Sequence, residues 1–241
     1  APLELEAPAG IGRRAAERAL ARLGARQIST RKAPVLFAAE LARGFFGHMI
    51  GAVRGTSQYR KASFLLDAMG QQVLPSFVQM LERPHLPRAL ASAPFDAEGV
   101  TTRDRDLVRD GVLTGYVLSS YSARKLGLRT TGNAGGIHNL LLDSSEGLLD
   151  TPALLRLMGS GLYVTELLGQ GVNGVTGDYS RGASGFWVEN GEIAYPVHEV
   201  TIAGNLREMY RGVRALGSEV DRLGAIHTGP VLLGEMTIAG G

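Results

Sequence analysis

An apolar stretch, PVLFAAELARGFFGHMIGAVR, runs from residue 34 to residue 54. Its apolar side chains fall on more than one helical face, and alanine and glycine fill most of the gaps, so a helix formed here would lie inside the protein. The stretch approaches the ~20 residues of a membrane-spanning helix, but Glu40, Arg43 and His48 lie in its middle, which favours a buried core helix. Residues 34–37 are alternatively a short strand that leads into a helix from about Ala39.

Helical patterns recur elsewhere along the chain. Residues 12–23 form an amphipathic pattern of strong helix formers that ends before Gly24, a residue suited to a helix C′ position. Capping residues predict two more helices, over residues 151–158 and over residues 205–216. Between residues 75 and 100 four prolines argue against long regular elements, so we predict a wrapped loop there.

Alternating patterns predict antiparallel strands. The turn Asp110-Gly111 lies between two short apolar runs within residues 107–119, and the turn Asn190-Gly191 joins two longer runs within residues 183–200; both are hairpin signals. Further strands are predicted over residues 138–142, from residue 161, and over residues 230–238. Together these elements predict an α+β fold: an antiparallel-rich mixed sheet, strongly curved or barrel-like, with flanking helices and one buried central helix.

The composition is that of an ordinary soluble protein. With 241 residues, 44% hydrophobic and 20% charged, the chain can bury a substantial core in one large domain or two small ones. Its 25 basic and 23 acidic residues give a net charge of +2 without charged runs, so the pI near 9.1 does not argue for nucleic acid. The 33 glycines predict many turns and close backbone contacts.

The chain contains no cysteine, which excludes disulfides and any thiolate-bound metal and fits a reducing compartment. Its first ten residues, APLELEAPAG, lack the charged segment and apolar run of a secretory signal. We therefore expect a cytoplasmic protein that does not associate with membranes.

Short motifs carry little chemistry on their own. Residues 169–174 match the dinucleotide fingerprint G-x-G-x-x-G, but a loop and a strand follow instead of the required helix. No G-x-S-x-G elbow supports a serine nucleophile. Asp178, Tyr179 and Arg181 form a polar cluster that is either a loop anchor or the rim of a binding cleft. No metal-ligand spacing relates the five histidines to one another or to a carboxylate in a helix: His48, His85, His138, His198 and His227.

Three stretches together carry a resemblance to a known family: residues 118–139 (LSSYSARKLGLRTTGNAGGIHN), residues 169–202 (GQGVNGVTGDYSRGASGFWVENGEIAYPVHEVTI) and residues 229–240. The chain resembles the TldD/PmbA family, once described as candidate modulators of DNA gyrase, and specifically its PmbA (TldE) branch. The similarity extends from about Gly10 to the end. It implies that residues 1–241 form a single C-terminal TldD/PmbA-type domain and that the family's N-terminal domain is absent from this chain.

The resemblance also concerns metal chemistry. In the family two related subunits pair, and the TldD subunit carries a zinc-binding H-E-x-x-x-H on the helix that matches the central helix here, with a cysteine completing the site. This chain has Arg43, Gly44 and His48 at the three defining positions, and it lacks cysteine. One imidazole does not hold zinc as a three-ligand site does. The resemblance therefore implies a chain without metal or catalytic residues of its own, and zinc in the partner subunit.

The implied role is that of a non-catalytic subunit in a heterodimer with a TldD-type catalytic subunit, shaping a chamber for unfolded peptides, which a sheet can bind by strand addition. Three alternatives stay open: a metallopeptidase that uses His48 with His138 or Glu40, a DNA-gyrase-associated regulator, and a homodimer. Interspersed acids and glycines around the arginines argue against DNA binding. We expect these residues to border a peptide cleft or a subunit interface: Gly132, Asn133, Gly135, Gly136, Asp178, Tyr179 and Arg181.

Overall fold

The computed structural model describes residues 6–240. Six helices occur within this range: α1 (Pro8–Leu20), α2 (Ala39–Ala52), α3 (Gly55–Tyr59), α4 (Ser120–Lys125), α5 (Thr151–Met158) and α6 (Leu206–Arg211). The strands are β1 (Arg31–Phe37), β2 (Val78–Glu82), β3 (Arg105–Arg109), β4 (Val112–Leu113), β5 (Leu140–Ser144), β6 (Gly161–Leu168), β7 (Asp178–Glu189), β8 (Glu192–Asn205), β9 (Val213–Leu216), β10 (Ile226–His227) and β11 (Val231–Ala239).

Five strands of the larger sheet close into a ring. β1 pairs with β6 in parallel and with β11 in antiparallel orientation, and the antiparallel pairs β6–β7, β7–β8 and β8–β11 complete the circle. β9 adds to β11 outside the ring. Register shifts interrupt four of these pairings, and bulges of this kind bend strands. The prediction of an antiparallel-rich, barrel-like sheet in an α+β fold is confirmed.

A second sheet has the order β10-β5-β2-β3-β4 and is antiparallel except for the β10–β5 pair. The β3–β4 hairpin turns at Asp110 and Gly111, both with positive φ, as a type I′ turn requires. The predicted turn at Asn190 and Gly191 also has positive φ at both residues and joins β7 to β8. Both hairpin predictions are therefore confirmed.

Helix α2 lies between the two sheets, where it contacts β6 and β10. Its buried face includes Phe45 and Phe46, which pack with the fully buried Tyr210; the Phe45 and Tyr210 ring centroids are 4.4 Å apart. The Tyr210 hydroxyl donates a 2.6 Å hydrogen bond to the Phe45 carbonyl oxygen, so this phenol is buried with a partner. Within residues 6–240, no helix combines the length and the apolar character needed to cross a membrane.

The structure decides between the two predictions for residues 34–54. Residues up to Phe37 continue a strand, β1, and the helix α2 begins at Ala39. Leu36 projects from β1 to the opposite side, into a smaller core under α5 that also contains Leu154 and Leu232. One apolar run thus supplies both a central strand and a central helix.

Two predicted elements differ from the structure in type, and the helix predicted over residues 12–23 instead spans Pro8–Leu20. Residues 75–100 contain strand β2, whose alternate residues Val78, Met80 and Glu82 are buried, because pairing with β3 and β5 places it inside the second sheet. The helix predicted over residues 205–216 ends at Arg211, and Val213–Leu216 instead forms β9 on the edge of β11. In both places sheet pairing outweighed the local pattern.

Candidate functional site

One face of α2 is open. Gly44, Gly47 and Gly51 recur along this face, and a Cβ atom at any of the three would meet no other atom within 4 Å. Glycine lowers helix stability by about 1 kcal/mol relative to alanine, so the packing of the opposite face must hold this helix in place. The consequence is a smooth surface of exposed backbone, which an extended chain can approach closely.

Arg43 is held by the loop that precedes β10. Its Nη1 atom lies 3.1 Å from Asp221 Oδ2 and donates a hydrogen bond to the Leu223 carbonyl oxygen. The Asp221 side chain is only 8% exposed, so little solvent screens the pair. Arg43 therefore anchors a loop at the position where the family resemblance implies a first zinc ligand.

A cavity of about 290 Å³ opens beside the glycine face, between α2 and the loop that connects β6 to β7. We call it the Arg181 cavity. Polar and apolar side chains both line it, and none of the lining residues is acidic. The residues that line it are Gly47, His48, Gly51, Ala52, Ser57, Ala62, Phe64, Gln170, Val172, Gly174, Arg181 and Leu206.

His48 and Arg181 set the electrostatics of this cavity. Burial lowers the pKa of His48, and the positive charge of Arg181 lowers this pKa further, so His48 is neutral at pH 7. Tyr179, next to both, packs its ring edge-on to His48 with centroids 6.3 Å apart. Burial raises the pKa of Tyr179 to about 12, although Arg181 opposes the rise. Arg181 therefore carries the net charge of this group.

These residues do not fit a zinc ion. Zinc in a peptidase needs three nitrogen, oxygen or sulfur ligands and an open position. Among the described residues no cluster of three histidines, cysteines, aspartates or glutamates could hold a metal. His48, the remaining residue of the motif, shares its cavity with the cationic Arg181, which would repel a metal ion.

A second feature is the glycine loop, residues 132–136. Its Asn133 is 5% exposed and donates hydrogen bonds to Glu82 Oε1 at 2.7 Å and to the Gly136 carbonyl oxygen at 3.0 Å. The same Glu82 oxygen accepts the His138 backbone N–H at 2.7 Å, while Glu82 Oε2 accepts Arg105 Nε at 2.6 Å. Glu82 thus ties the loop to the second sheet.

Asp96 holds the glycine loop as well. Its Oδ2 atom accepts the Ala134 backbone N–H at 2.9 Å, and its Oδ1 atom accepts the N–H groups of Glu98 and Val100. Burial opposes ionisation of Asp96, but these three backbone donors outweigh it, and the pKa of the Asp96 carboxyl is lowered. The loop is therefore a fixed part of the surface.

The loop borders a second cavity, of about 200 Å³, which also includes Ser119, Ser122 and residues of α3. The exposed Arg54 reaches into it; its Nη2 atom is 3.4 Å from where a Cβ of Gly136 would stand. α3 lies between the cavities, since Ser57 lines the Arg181 cavity and Thr56 lines this one.

The predicted contact residues thus separate into groups. Asn133, Gly135 and Gly136 line the second cavity, Arg181 lines the first, and Tyr179 is buried beneath Arg181. Gly132 is buried, and a Cβ there would stand 2.9 Å from the Thr101 carbonyl oxygen, so it serves the shape of the loop.

Asp178 lies outside both cavities, where it accepts a 2.6 Å hydrogen bond from Thr176 Oγ1. The cavity residues Gln170 and Arg54 were not predicted from the sequence. Gln170 lies within the G-x-G-x-x-G match, whose glycine content signals an open loop, whereas nothing in the sequence marked Arg54.

Comparison with known proteins shows the family and the fold of this chain. Residues 30–240 match the domain family described as the PmbA/TldA metallopeptidase C-terminal domain. The chain is 55% identical over 237 residues to a protein of Escherichia coli O157:H7 named metalloprotease PmbA, covering 98% of this chain and 52% of that protein. The chain belongs to the PmbA/TldA metallopeptidase family. It spans about half the length of this relative.

Solved structures of the family share the fold. A Thermotoga maritima protein described as a candidate modulator of DNA gyrase is 34% identical and superposes with a TM-score of 0.91, over 99% of this chain and 56% of its own. TldE from Thermococcus kodakarensis, at 24% identity, shares the fold with a TM-score of 0.82 over 96% of this chain and 55% of its own. The predicted TldD/PmbA membership is confirmed.

Proposed function

We propose that this family member is a non-catalytic subunit of a TldD/TldE-type zinc metalloprotease complex, and that its open α2 face and the two adjoining cavities receive unfolded peptide. Metallopeptidase chemistry needs a bound metal that acidifies water and a carboxylate that accepts the proton. At the corresponding positions this chain has Arg43, engaged with Asp221, and Gly44, which has no side chain. That arrangement is the observation on which the proposal depends.

The proposed zinc belongs to a TldD-type partner with the intact H-E-x-x-x-H motif. In this division of roles the present chain binds substrate and completes the walls of a chamber, while the partner supplies the metal. The relatives' name, metalloprotease PmbA, agrees with a part in proteolysis. The glycine face supports peptide binding because no side chain stands on it, so an extended chain can lie close to the helix. The five strands that pair in a closed ring offer no open edge for strand addition, and the proposal therefore places the peptide on α2.

Co-purification tests the proposal directly. This chain is mixed with a family member that keeps H-E-x-x-x-H, and peptidase activity toward an unfolded peptide is measured for each protein alone and for the pair. We expect a stable complex, activity that rises when this chain is added, and zinc only in the partner by elemental analysis. Stoichiometric zinc bound to this chain alone, or activity of the partner that is indifferent to it, would refute the proposal.

A double variant that restores two motif residues also tests the proposal. Replacing Arg43→His and Gly44→Glu restores two motif residues, but no thiolate exists in the chain and Arg181 still faces His48. We therefore expect the variant to remain inactive alone and to bind no stoichiometric zinc. Peptide hydrolysis by this variant without a partner would count against the proposal.

Separate measurements test the alternative functions. His48 and Glu40 would serve a metal site only if Glu40 left its 2.6 Å pairing with Arg18, and zinc analysis of the unmodified chain covers that case. A DNA-binding role would need unpaired cations, whereas Arg83 and Arg109 both pair with Asp106, at 3.0 Å and 2.9 Å. Binding to duplex DNA at physiological salt would revive that alternative.

A further inference from the structure

We propose that the Arg181 cavity is an anion subsite that binds a carboxylate of the peptide. This inference rests on the proposed function, because it names the chemistry by which the open α2 face would hold its ligand. It assigns to Arg181 the role of a specificity-determining residue: peptides that present a carboxylate at this point bind more tightly than neutral peptides of the same length.

The first argument concerns unbalanced charge. Arg181 is a cation on the wall of a cavity in which none of the lining residues is acidic. Its Nε atom is buried and has no hydrogen-bond partner among the described residues. Buried donors are normally paired, and a buried donor left unpaired costs stability. A bound carboxylate would supply both the missing counter-charge and hydrogen-bond acceptors to this guanidinium.

The second argument is that the neighbours of Arg181 supply no counter-charge. His48 stays neutral at pH 7, and Tyr179 keeps its proton far above that pH, so neither acts as an internal anion. Gln170, which also lines the cavity, adds a neutral amide that can donate to a carboxylate oxygen. The guanidinium hydrogen-bonds the neutral Tyr179 side chain but has no anionic partner among the residues that line the cavity.

The third argument is the shape of the site. Gly47 and Gly51 form part of the cavity wall and continue the open α2 face, so a peptide backbone on that face has direct access to the cavity. Phe64, Val172 and Leu206 line the same cavity. These apolar groups can cover the methylene groups that precede a carboxylate, and they lower the local dielectric in which the ion pair forms. The planar guanidinium fork matches a carboxylate in particular.

A carboxylate on a peptide comes either from a C-terminus or from an Asp or Glu side chain, and three fluorescent peptides separate these sources. The first is a Gly/Ser/Ala peptide with a free C-terminal carboxylate. The second has an amidated C-terminus and one internal Glu, and the third is identical to the second except that Gln replaces the Glu. Their affinities for the 241-residue chain are measured by fluorescence anisotropy at fixed salt.

We expect at least one of the carboxylate peptides to bind about tenfold or more tightly than the Gln peptide, as a charge-assisted contact provides. The carboxylate peptide that binds more tightly identifies the source of the carboxylate. In Arg181→Gln this preference should disappear, while binding of the Gln peptide stays unchanged. Arg181→Lys, which keeps the charge but loses the fork, should retain part of the preference. Arg60→Gln is the matched control, because it removes an exposed cation from the end of α3 without touching the cavity.

Equal affinity for all three peptides overturns the proposal, and the wild-type chain alone decides this even if Arg181→Gln fails to fold. A preference that persists in a folded Arg181→Gln also overturns it, as does binding of none of the peptides. The proposed function is judged separately, by activation of the partner's peptidase activity. A complex that hydrolyses all three peptides equally well leaves that function intact and removes only the subsite.

Discussion

Replacing Glu82→Gln should loosen the glycine loop and destabilise the whole chain. The Glu82 side chain is 2% exposed, and its two oxygens accept from Arg105, Asn133 and the His138 backbone. A glutamine has one acceptor oxygen and one NH₂ group. Whichever way the amide turns, its NH₂ faces a group that is itself a donor, and Arg105 loses its charge partner.

The size of the expected destabilisation by Glu82→Gln follows from the burial of the ion pair. Removing one partner of a buried ion pair costs about 3–5 kcal/mol. The Arg105 side chain is 19% exposed and can recover some hydration, so we take the lower end, about 3 kcal/mol. At this chain length 1 kcal/mol corresponds to about 2–4 °C, so the melting temperature should fall by about 6–12 °C.

Two measurements follow the variant. Urea unfolding gives the free energy of unfolding, and hydrogen exchange reports local opening of residues 131–139. We expect exchange to increase there more than in the β7–β8 hairpin, which does not contact Glu82. Glu192→Gln removes the same charge from an exposed position and should change the free energy of unfolding by less than about 0.5 kcal/mol.

The coupling between the two charges can also be measured. Because Arg105 and Glu82 form one network, Arg105→Gln should lower the free energy of unfolding less in the Glu82→Gln variant than in the wild-type chain. A Glu82→Gln variant that unfolds within 1 kcal/mol of the wild type, with unchanged exchange in the loop, would falsify the assignment of Glu82 as its anchor.

Two further predictions concern α2 and the ring. By NMR titration the pKa of His48 in the wild-type chain should lie below 6.5, and it should rise in Arg181→Gln. Because the unfolded wild-type chain binds this proton more readily than the folded chain, the free energy of unfolding should fall as the pH drops below about 6.5. An unchanged pKa would refute the influence of Arg181. Gly185→Ala should lower the free energy of unfolding by about 3 kcal/mol or more, because the new Cβ would stand 1.9 Å from a β6 carbonyl oxygen. Gly51→Ala on the open face of α2 should not lower the free energy of unfolding. Equal urea midpoints for these two variants would contradict this.

Local sequence predicted the hairpins because their turns contain the information that defines them. Asp110-Gly111 and Asn190-Gly191 take positive φ at both residues, which few other pairs do without strain, and the flanking alternation defines which face is buried. Helix α5 was likewise predicted, but its cap was misplaced by one residue. Thr151 was the expected cap, whereas the side chain that accepts the capping hydrogen bond is that of Asp150, from the Ala153 N–H at 2.7 Å.

The candidate site was only partly predictable, since it depends on residues distant in sequence. The absence of a second histidine and of cysteine is visible in the sequence, and the glycines of α2 are too. That Arg43 pairs with Asp221, and that His48 meets Arg181, depends on how the loop before β10 and strand β7 pack around α2. Such pairings have no local signal.

The sequence by itself determined the α+β class, the positions of the two hairpin turns, the family and the lack of metal-binding groups on the central helix, because each of these depends on residue identity or on near neighbours. Tertiary structure alone decided which five strands close the barrel-like sheet into a ring, that Val78–Glu82 becomes an internal strand, and that Arg181 is left without an acidic partner in its cavity. These outcomes come from long-range pairing and burial, in which distant segments compete for the same hydrogen bonds and the same core.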